Sequence, residues 1–358
     1  MVQVNKLGVL LEKTERLFEC VGVLNPGVIK VDGTIHLFYR ALTHDNYSTI
    51  GYCRLKNPTE VAYRNPDPVL VPEFDYEFQG LEDPRIVQIE GTFYLTYTAY
   101  NGENALGALA TSTDLVHWKK HGVLVPQITY QEFMHFTNFK GTVHEKYVRF
   151  NAYQHGPARE DRTALVWVKN LVFFPRKINN RFCFLHRIRP DLQIVVEVSS
   201  LDELTAEYWQ QYFLHFEDHI VLQPRFAHEP SYIGSGCPPI ETKAGWLVIY
   251  HGVADSVDGF VYSACAVLLD LDNPRKELCR LPYPLFSPSK TWELKGEVDN
   301  VCFPTGALVE NDILYIYYGA ADKRIAIAAM GVEELLAELH AYPVNPPHHV
   351  VPHLTSNS

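Results

Sequence analysis

The sequence predicts an all-β protein, a five-bladed β-propeller with a short C-terminal helix. Three observations carry that expectation. Aromatic residues are abundant at 13%, with 21 Tyr and 19 Phe, a composition that suits strands. The 23 Pro and 21 Gly supply frequent turns, whereas Met occurs only three times. One pattern also recurs: a proline, a short strand, a polar turn, then a strand dense in aromatic and aliphatic residues.

The five copies occupy residues 25–40, 83–97, 174–187, 238–251 and 303–318. Their prolines, Pro26, Pro84, Pro175, Pro239 and Pro304, are 58, 91, 64 and 65 residues apart, room for a four-stranded antiparallel blade each time. Further strands are expected after the hairpins, at 105–112 and 324–329. The 91-residue interval implies an insertion at about 126–160, containing His135, His144, His155 and Arg159. An insertion of that size serves function or assembly more often than it is inert, which admits a homo-oligomer. Residues 332–340 have helical spacing. Residues 343–358 form a Pro/His-rich tail whose His348, His349 and His353 read as a solvated end. Residues 1–342 are thus expected to be one catalytic unit.

A net charge of −11 argues against nucleic acid or an anionic membrane as the main partner, since either needs a dominant basic face. A neutral small molecule fits better. The seven cysteines are widely spaced, without C-x-x-C, and read as small buried hydrophobes of a reducing compartment. The amino terminus shows no apolar leader and no window reaches membrane-spanning length, so a cytoplasmic location is expected. No H-E-x-x-H or comparable spacing is present, and neither metal nor cofactor is expected.

In a propeller the residues opening each inner strand converge on one face. Asn25, Asp83, the 169–174 run, the 235–239 loop and the approach to Phe303 should therefore meet. The returning strands should add Arg40, His186 with Arg187, Tyr250 with His251, and Asp322. A repeat kept only for packing would place apolar residues at these positions.

The segments Gly80-Leu-Glu-Asp-Pro-Arg85, Phe173-Phe-Pro-Arg176, Ile233-Gly-Ser-Gly-Cys-Pro-Pro-Ile240, Trp246-Leu-Val-Ile-Tyr-His-Gly252 and Tyr317-Tyr-Gly-Ala-Ala-Asp322 together resemble glycoside hydrolase family 130. That family comprises β-mannoside phosphorylases and β-mannosidases on a five-bladed propeller, and the resemblance spans about residues 20–330. It implies that Asp83 is the proton donor, acting on the glycosidic oxygen through a hydroxyl of the innermost sugar. It implies that Asn25, Arg40, His251 and Asp322 line that sugar or the nucleophile, with Arg85 and His186 beside them. Lys169, Asn170, Arg187 and His251 match the phosphate-holding groups of the phosphorylases.

One member of that set departs. The phosphorylase pattern has a lysine directly before Ile-Gly-x-Gly, where this chain has Tyr232. A phosphate buried beside a sugar needs charge-assisted donors, each worth about 1.5–3 kcal/mol, and this change removes a full charge. Hydrolysis instead needs a second carboxylate, roughly 6.5–9.5 Å from the acid, to activate water. Glu229 lies three residues from the missing lysine and is the expected base, with Glu197 and Glu203, on an outer strand and its turn, as alternatives. Gly234-Ser-Gly236 is no phosphate loop, because no Lys-Ser/Thr follows and Pro238-Pro239 forbids the helix. Residues 112–118 read as a surface turn. The resulting expectation is an inverting hydrolase of β-mannosidic bonds, of the β-1,2 type, in manno-oligosaccharides. A phosphorylase releasing mannose 1-phosphate is the alternative, and a noncatalytic sugar-binding propeller is the reading from another class.

Overall fold

The alternating strands pair with their neighbours in chain order, and the computed structural model describes residues 1–138, 146–147, 164–257 and 259–344. Most of the 126–160 insertion, with His144, His155 and Arg159, and the tail histidines lie outside the described residues. The chain opens with β1 (Asn5–Leu11), and then builds a first meander from β2 (Gly22–Val31), β3 (Thr34–Leu42), β4 (Ser48–Asn57) and β5 (Glu60–Arg64). The second comprises β6 (Gly80–Ile89), β7 (Thr92–Tyr100), β8 (Ala105–Ser112) and β9 (Lys119–Val123), followed by helix α1 (Tyr130–Thr137), which carries His135. The third has β10 (Lys169–Phe173), β11 (Phe182–Ile188), β12 (Asp191–Val198) and, after helix α2 (Ala206–Leu214), β13 (Ile220–Leu222).

In the fourth meander β14 (Tyr232–Ser235) and β15 (Ile240–Thr242) pair with different stretches of β16 (Gly245–Ser256), and β17 (Gly259–Leu269) and β18 (Glu277–Arg280) complete it. After the short α3 (Thr291–Leu294), β19 (Cys302–Glu310), β20 (Ile313–Ala320) and β21 (Arg324–Gly331) form the last group, and helix α4 (Val332–His340) follows. Its outermost place is taken by β1, which pairs with β21 and joins the chain's beginning to its end.

The hairpin turns explain much of this register. Asp32-Gly33, Glu90-Gly91, Asn179-Asn180 and Asn311-Asp312 each have positive φ at both positions, the backbone that two-residue turns need to match strand twist. The first strands of successive meanders then lie against one another: β2 on β6, β6 on β10, β10 on β14, and β19 back on β2. Gly27, Gly236 and Gly306 permit that approach. A Cβ on Gly27 would lie 2.8 Å from the Pro84 carbonyl, one on Gly236 2.9 Å from that of Pro304, and one on Gly306 2.6 Å from that of Pro26.

Two of the five repeat copies differ from expectation. Pro26, Pro84 and Pro304 sit inside the first strands of their meanders, whereas Pro175 falls after β10 and Pro239 in the break between β14 and β15. In the third copy the inner strand is therefore 169–173, ahead of the proline. The helix at 332–340, the strands at 105–112 and 324–329, and the Ser112–Asp114 turn appear where they are expected. All seven cysteines are free thiols, six of them buried.

A buried ionic clamp recurs in four meanders. Each begins with a glutamate ahead of the first strand, fully buried: Glu19, Glu77, Glu229 and Glu293. Each accepts a hydrogen bond from a tyrosine hydroxyl of the second strand: Tyr39 at 2.8 Å, Tyr97 at 2.6 Å, Tyr250 at 3.0 Å and Tyr318 at 2.7 Å. Each also meets a cation from the outermost strand: Arg64 at 2.8 Å, Lys120 at 2.7 Å, Arg280 at 2.8 Å and Lys6 at 2.5 Å. Backbone amides four residues earlier, of Glu73, Arg225 and Ser289, donate to the last three carboxylates. A buried charge thus ties inner, second and outer strands of one meander together.

In the last meander the cation comes from β1, so Lys6 connects the closing strand to Glu293. Replacing Lys6 by Met should leave Glu293 buried without its cation and cost about 3–5 kcal/mol of stability. Urea denaturation checks this; a loss below about 1 kcal/mol, the value of an exposed pair, would show that closure does not rest on the clamp.

Candidate functional site

A second repeated register places the polar side chains. Leu24 pairs with Arg40, Glu82 with Thr98, Lys169 with Arg187, Gly234 with His251 and Phe303 with Gly319. Register shifts follow directly, between Leu24 and Gly27, Glu82 and Arg85, Lys169 and Val172, and Pro304 and Gly306. Within them Asn25, Asp83 and Asn170 take left-handed backbone, at φ of 50°, 53° and 55°. A bulge re-aims the side chain it carries. Asn and Asp tolerate that conformation better than most residues, which explains their presence at three equivalent places.

Asp83 is buried and accepts a 2.7 Å hydrogen bond from Asn25 Nδ2. Asn25 in turn fits because β20 has Gly319 opposite it; a Cβ there would lie 1.9 Å from Asn25 Oδ1. Arg40 Nη2 is 2.8 Å from Glu82 Oε1, and its Nη1 is 4.0 Å from Asp83 Oδ1. Lys169 Nζ holds the other Glu82 oxygen at 2.8 Å. Burial would raise Glu82, but Arg40 and Lys169 outweigh it and hold the carboxyl down at about 2. Asp322 behaves oppositely: burial raises it to about 6, Arg40 pulling down and Asp83 and Glu82 pushing up. Three carboxylates therefore surround two cations.

A different balance prevails across β10, β11, β14 and β16. Arg187 Nη1 lies 3.4 Å from His251 Nε2, and the ring of His251 packs 4.4 Å from that of Phe303. Burial lowers Arg187 to about 9, the neighbouring Arg189 adding to it, and His251 is pushed well below the usual histidine range by burial and then by Arg187, Arg85 and Arg189. Among the described residues no carboxylate forms an ion pair with Arg187 or Arg189. Asn170 Oδ1, Arg187 Nε and His251 Nδ1 are buried without a protein partner. Gly234 makes room for this group, since its Cβ would lie 2.5 Å from His251 Nε2 and 2.6 Å from Asn170 Oδ1.

Tyr232, buried on β14, carries the Arg189 guanidinium 4.0 Å above its ring and that of Arg187 at 5.3 Å. Its hydroxyl accepts from Arg189 Nη2 at 3.2 Å and meets the Tyr262 hydroxyl in a short hydrogen bond.

Three residues expected in the site have other employment. Glu229 cannot serve as a free base: its carboxylate is fully buried and taken up by Arg280, Tyr250 and the amides of Arg225 and Phe226. It is the fourth meander's clamp. His186 follows the strand alternation that puts it opposite Arg187. Its Nε2 is 2.9 Å from the Tyr212 hydroxyl on α2, and burial, with His219, pushes it down to about 3. Arg85 spends its guanidinium on carbonyls, Nη1 to Asp83, Nε to Gly236 and Nη2 to Ser235, and so ties β6 to the β14 end rather than presenting donors to a ligand.

Glu82 and Arg189 are the members that sequence reasoning missed. Glu82 adjoins the expected acid, and Arg189 lies two residues from Arg187, the spacing that returns a side chain to the same side of an extended chain. His228, Glu229 and Cys265 bring possible metal-ligand atoms within 4.8 Å of one another. Arg280 already balances Glu229, and burial pushes the Cys265 thiol above its ordinary range. No described helix is long and apolar enough to cross a membrane.

Comparison with known proteins corrects the chemistry expected from Tyr232. A 1,2-beta-oligomannan phosphorylase of Thermoanaerobacter sp. (strain X514) is 32% identical over 350 residues, covering 94% of this chain and 99% of the relative. A beta-1,2-mannobiose phosphorylase of the same organism is 29% identical over 337 residues, 90% of this chain and 94% of the relative. The solved beta-1,2-mannobiose phosphorylase of Listeria innocua, in complex with beta-1,2-mannobiose, superposes with a TM-score of 0.70 over 95% of this chain and 99% of that one, at 22% identity, which speaks for the fold. These near full-length relatives are named phosphorylases, so the expectation of hydrolysis is overturned. The family model described as beta-1,4-mannooligosaccharide phosphorylase matches residues 9–340, and the chain belongs to that family, glycoside hydrolase family 130.

Proposed function

We propose that this chain is a β-mannoside phosphorylase, acting on β-1,2-linked manno-oligosaccharides and releasing mannose 1-phosphate. The observation that carries the reading is the cationic group around Arg187 and His251, which no carboxylate of the described residues pairs with, set beside the acidic group around Asp83. Water needs a base to activate it; phosphate arrives charged and needs cations. The names of the relatives support the substrate class and the linkage.

In this reading a phosphate oxygen attacks C1 of the terminal mannose on the face opposite the leaving oxygen. The C1–O bond breaks with its electron pair going to that oxygen, and the proton of Asp83, passed through a sugar hydroxyl, neutralises it. A β-linkage then yields α-mannose 1-phosphate and an oligosaccharide one unit shorter. Asn25 orients Asp83. Arg40 and Asp322 grip the sugar, Glu82 keeps Arg40 and Lys169 in place, and Asn170, Arg187 and His251 receive phosphate. The mutual contacts of the first strands and the β1–β21 closure support a single unit spanning residues 1–342 in which the five meanders are blades of a five-bladed propeller.

Digestion of β-1,2-mannobiose should require inorganic phosphate and give mannose 1-phosphate; equal turnover to free mannose without phosphate would overturn the proposal. Asp83→Asn should lower kcat by about 10²-fold or more in a phosphate-dependent assay, and retention of most activity would remove Asp83 from the acid role. Asp322 yields a stability prediction of opposite sign. Its carboxyl binds a proton more tightly in the fold than at the unfolded value of 3.8, so its contribution favours the fold below that pH and is lost as pH rises through about 6. Asp322→Asn should therefore unfold at higher temperature than the parent at pH 7–8, with the difference fading below about pH 4. A variant less stable at pH 8 than at pH 4, relative to the parent, would contradict this.

A further inference from the structure

The place of the missing lysine is not electrically empty. Arg189 enters from the end of β11 and lays its guanidinium on the Tyr232 ring at 4.0 Å, and its Nη2 donates to the Tyr232 hydroxyl at 3.2 Å. That hydroxyl is itself held by Tyr262, so the platform has little freedom to swing. Arg189 Nε is buried without a protein partner, as is Arg187 Nε. Two guanidiniums two residues apart share one aromatic ring, with His251 next to Arg187, and among the described residues neither is neutralised by a carboxylate.

Such an arrangement is costly unless an anion completes it. Like charges packed on one ring repel, and buried guanidinium donors with no acceptor forfeit their hydrogen bonds. An arginine fork offers several donors to a tetrahedral oxyanion, whereas a lysine offers one compact charge. An aromatic face holds a guanidinium in place while leaving its edge free to donate.

We propose that Arg189, positioned by Tyr232, binds the phosphate nucleophile in place of the lysine that phosphorylases carry at position 232. This rests on the phosphorylase reading above. The tyrosine is then a gain of a platform rather than a loss of charge: the cation has moved from β14 to the turn after β11, and the residue left behind orients it.

Initial rates with β-1,2-mannobiose, varying inorganic phosphate at fixed sugar and then the reverse, test this. Arg189→Gln should raise KM for phosphate by about tenfold or more, the value of a lost charge-assisted contact, with KM for mannobiose changed less than about twofold. Adding Tyr232→Lys to Arg189→Gln should recover a substantial part of the phosphate affinity, because the charge returns from the other strand. Tyr232→Phe, which keeps the ring and removes only the hydroxyl, should give a smaller rise of the same kind and serves if Arg189→Gln does not fold. An unchanged phosphate KM in these variants of a phosphate-dependent parent would overturn the assignment, as would an equal rise for both substrates. A parent indifferent to phosphate would instead overturn the phosphorylase reading itself.

Discussion

A carboxylate buried away from water must be met by a cation and by hydrogen bonds, and this chain meets that requirement in the same way four times. Glutamate ahead of the first strand, tyrosine on the second and lysine or arginine on the outermost meet in each of these four meanders. The three strands cannot slip without stranding a charge, so the clamp specifies register where apolar packing alone would tolerate a shift. In the last meander the cation is Lys6 of β1, and the same interaction that orders a meander also joins the two ends of the fold. Among the described residues the third meander does not show it. There His186 occupies the tyrosine's place and bonds Tyr212, on the helix that covers this part of the sheet.

The clamp and the candidate site are two faces of one repeated strand. Tyr39, Tyr97, His186, Tyr250 and Tyr318 point into their own meanders. The residues that follow them, Arg40, Thr98, Arg187, His251 and Gly319, pair with Leu24, Glu82, Lys169, Gly234 and Phe303 of the first strands. Because side chains alternate, fixing the tyrosine inward fixes its successor toward the inner strands. A structural requirement thus delivers a ring of positions whose identity is free to vary, and variation there distinguishes the meanders. Gly319 leaves space that Asn25 fills; Arg187 and His251 leave charge.

The predominance of strands was legible because turns, prolines and aromatic strands recur along the chain, and the shared bulge backbone of Asn25 and Asp83 was legible because both stand just before a repeat proline. Local reading misleads at two positions. Proximity to Tyr232 suggests a base in Glu229, but glutamate precedes the clamp tyrosine by 20, 20, 21 and 25 residues in the four meanders, a repeat the sequence carries. Adjacency in sequence suggests that His186 joins Arg187, but neighbouring strand residues face apart. The charge of Arg189 was harder to read. Its service to the site depends on stacking against a residue 43 positions away, which spacing along the chain does not reveal.

Separation of charge is what the arrangement finally accomplishes. Glu82, Asp83 and Asp322 gather on the side built from β2, β3, β6 and the β20–β21 turn, where they exceed the cations Arg40 and Lys169. Arg187, Arg189 and His251 gather on the side built from β11, β14 and β16, where among the described residues no carboxylate pairs with them. A proton is therefore best held on one side and an anion on the other. The proposed displacement at a sugar carbon draws on that asymmetry, a proton for the departing oxygen and a stabilised anion for the attacking one. If all the repeated positions carried the same residue, this separation of charge would be lost. The clamp keeps the meanders alike in structure so that their inward residues can differ in charge.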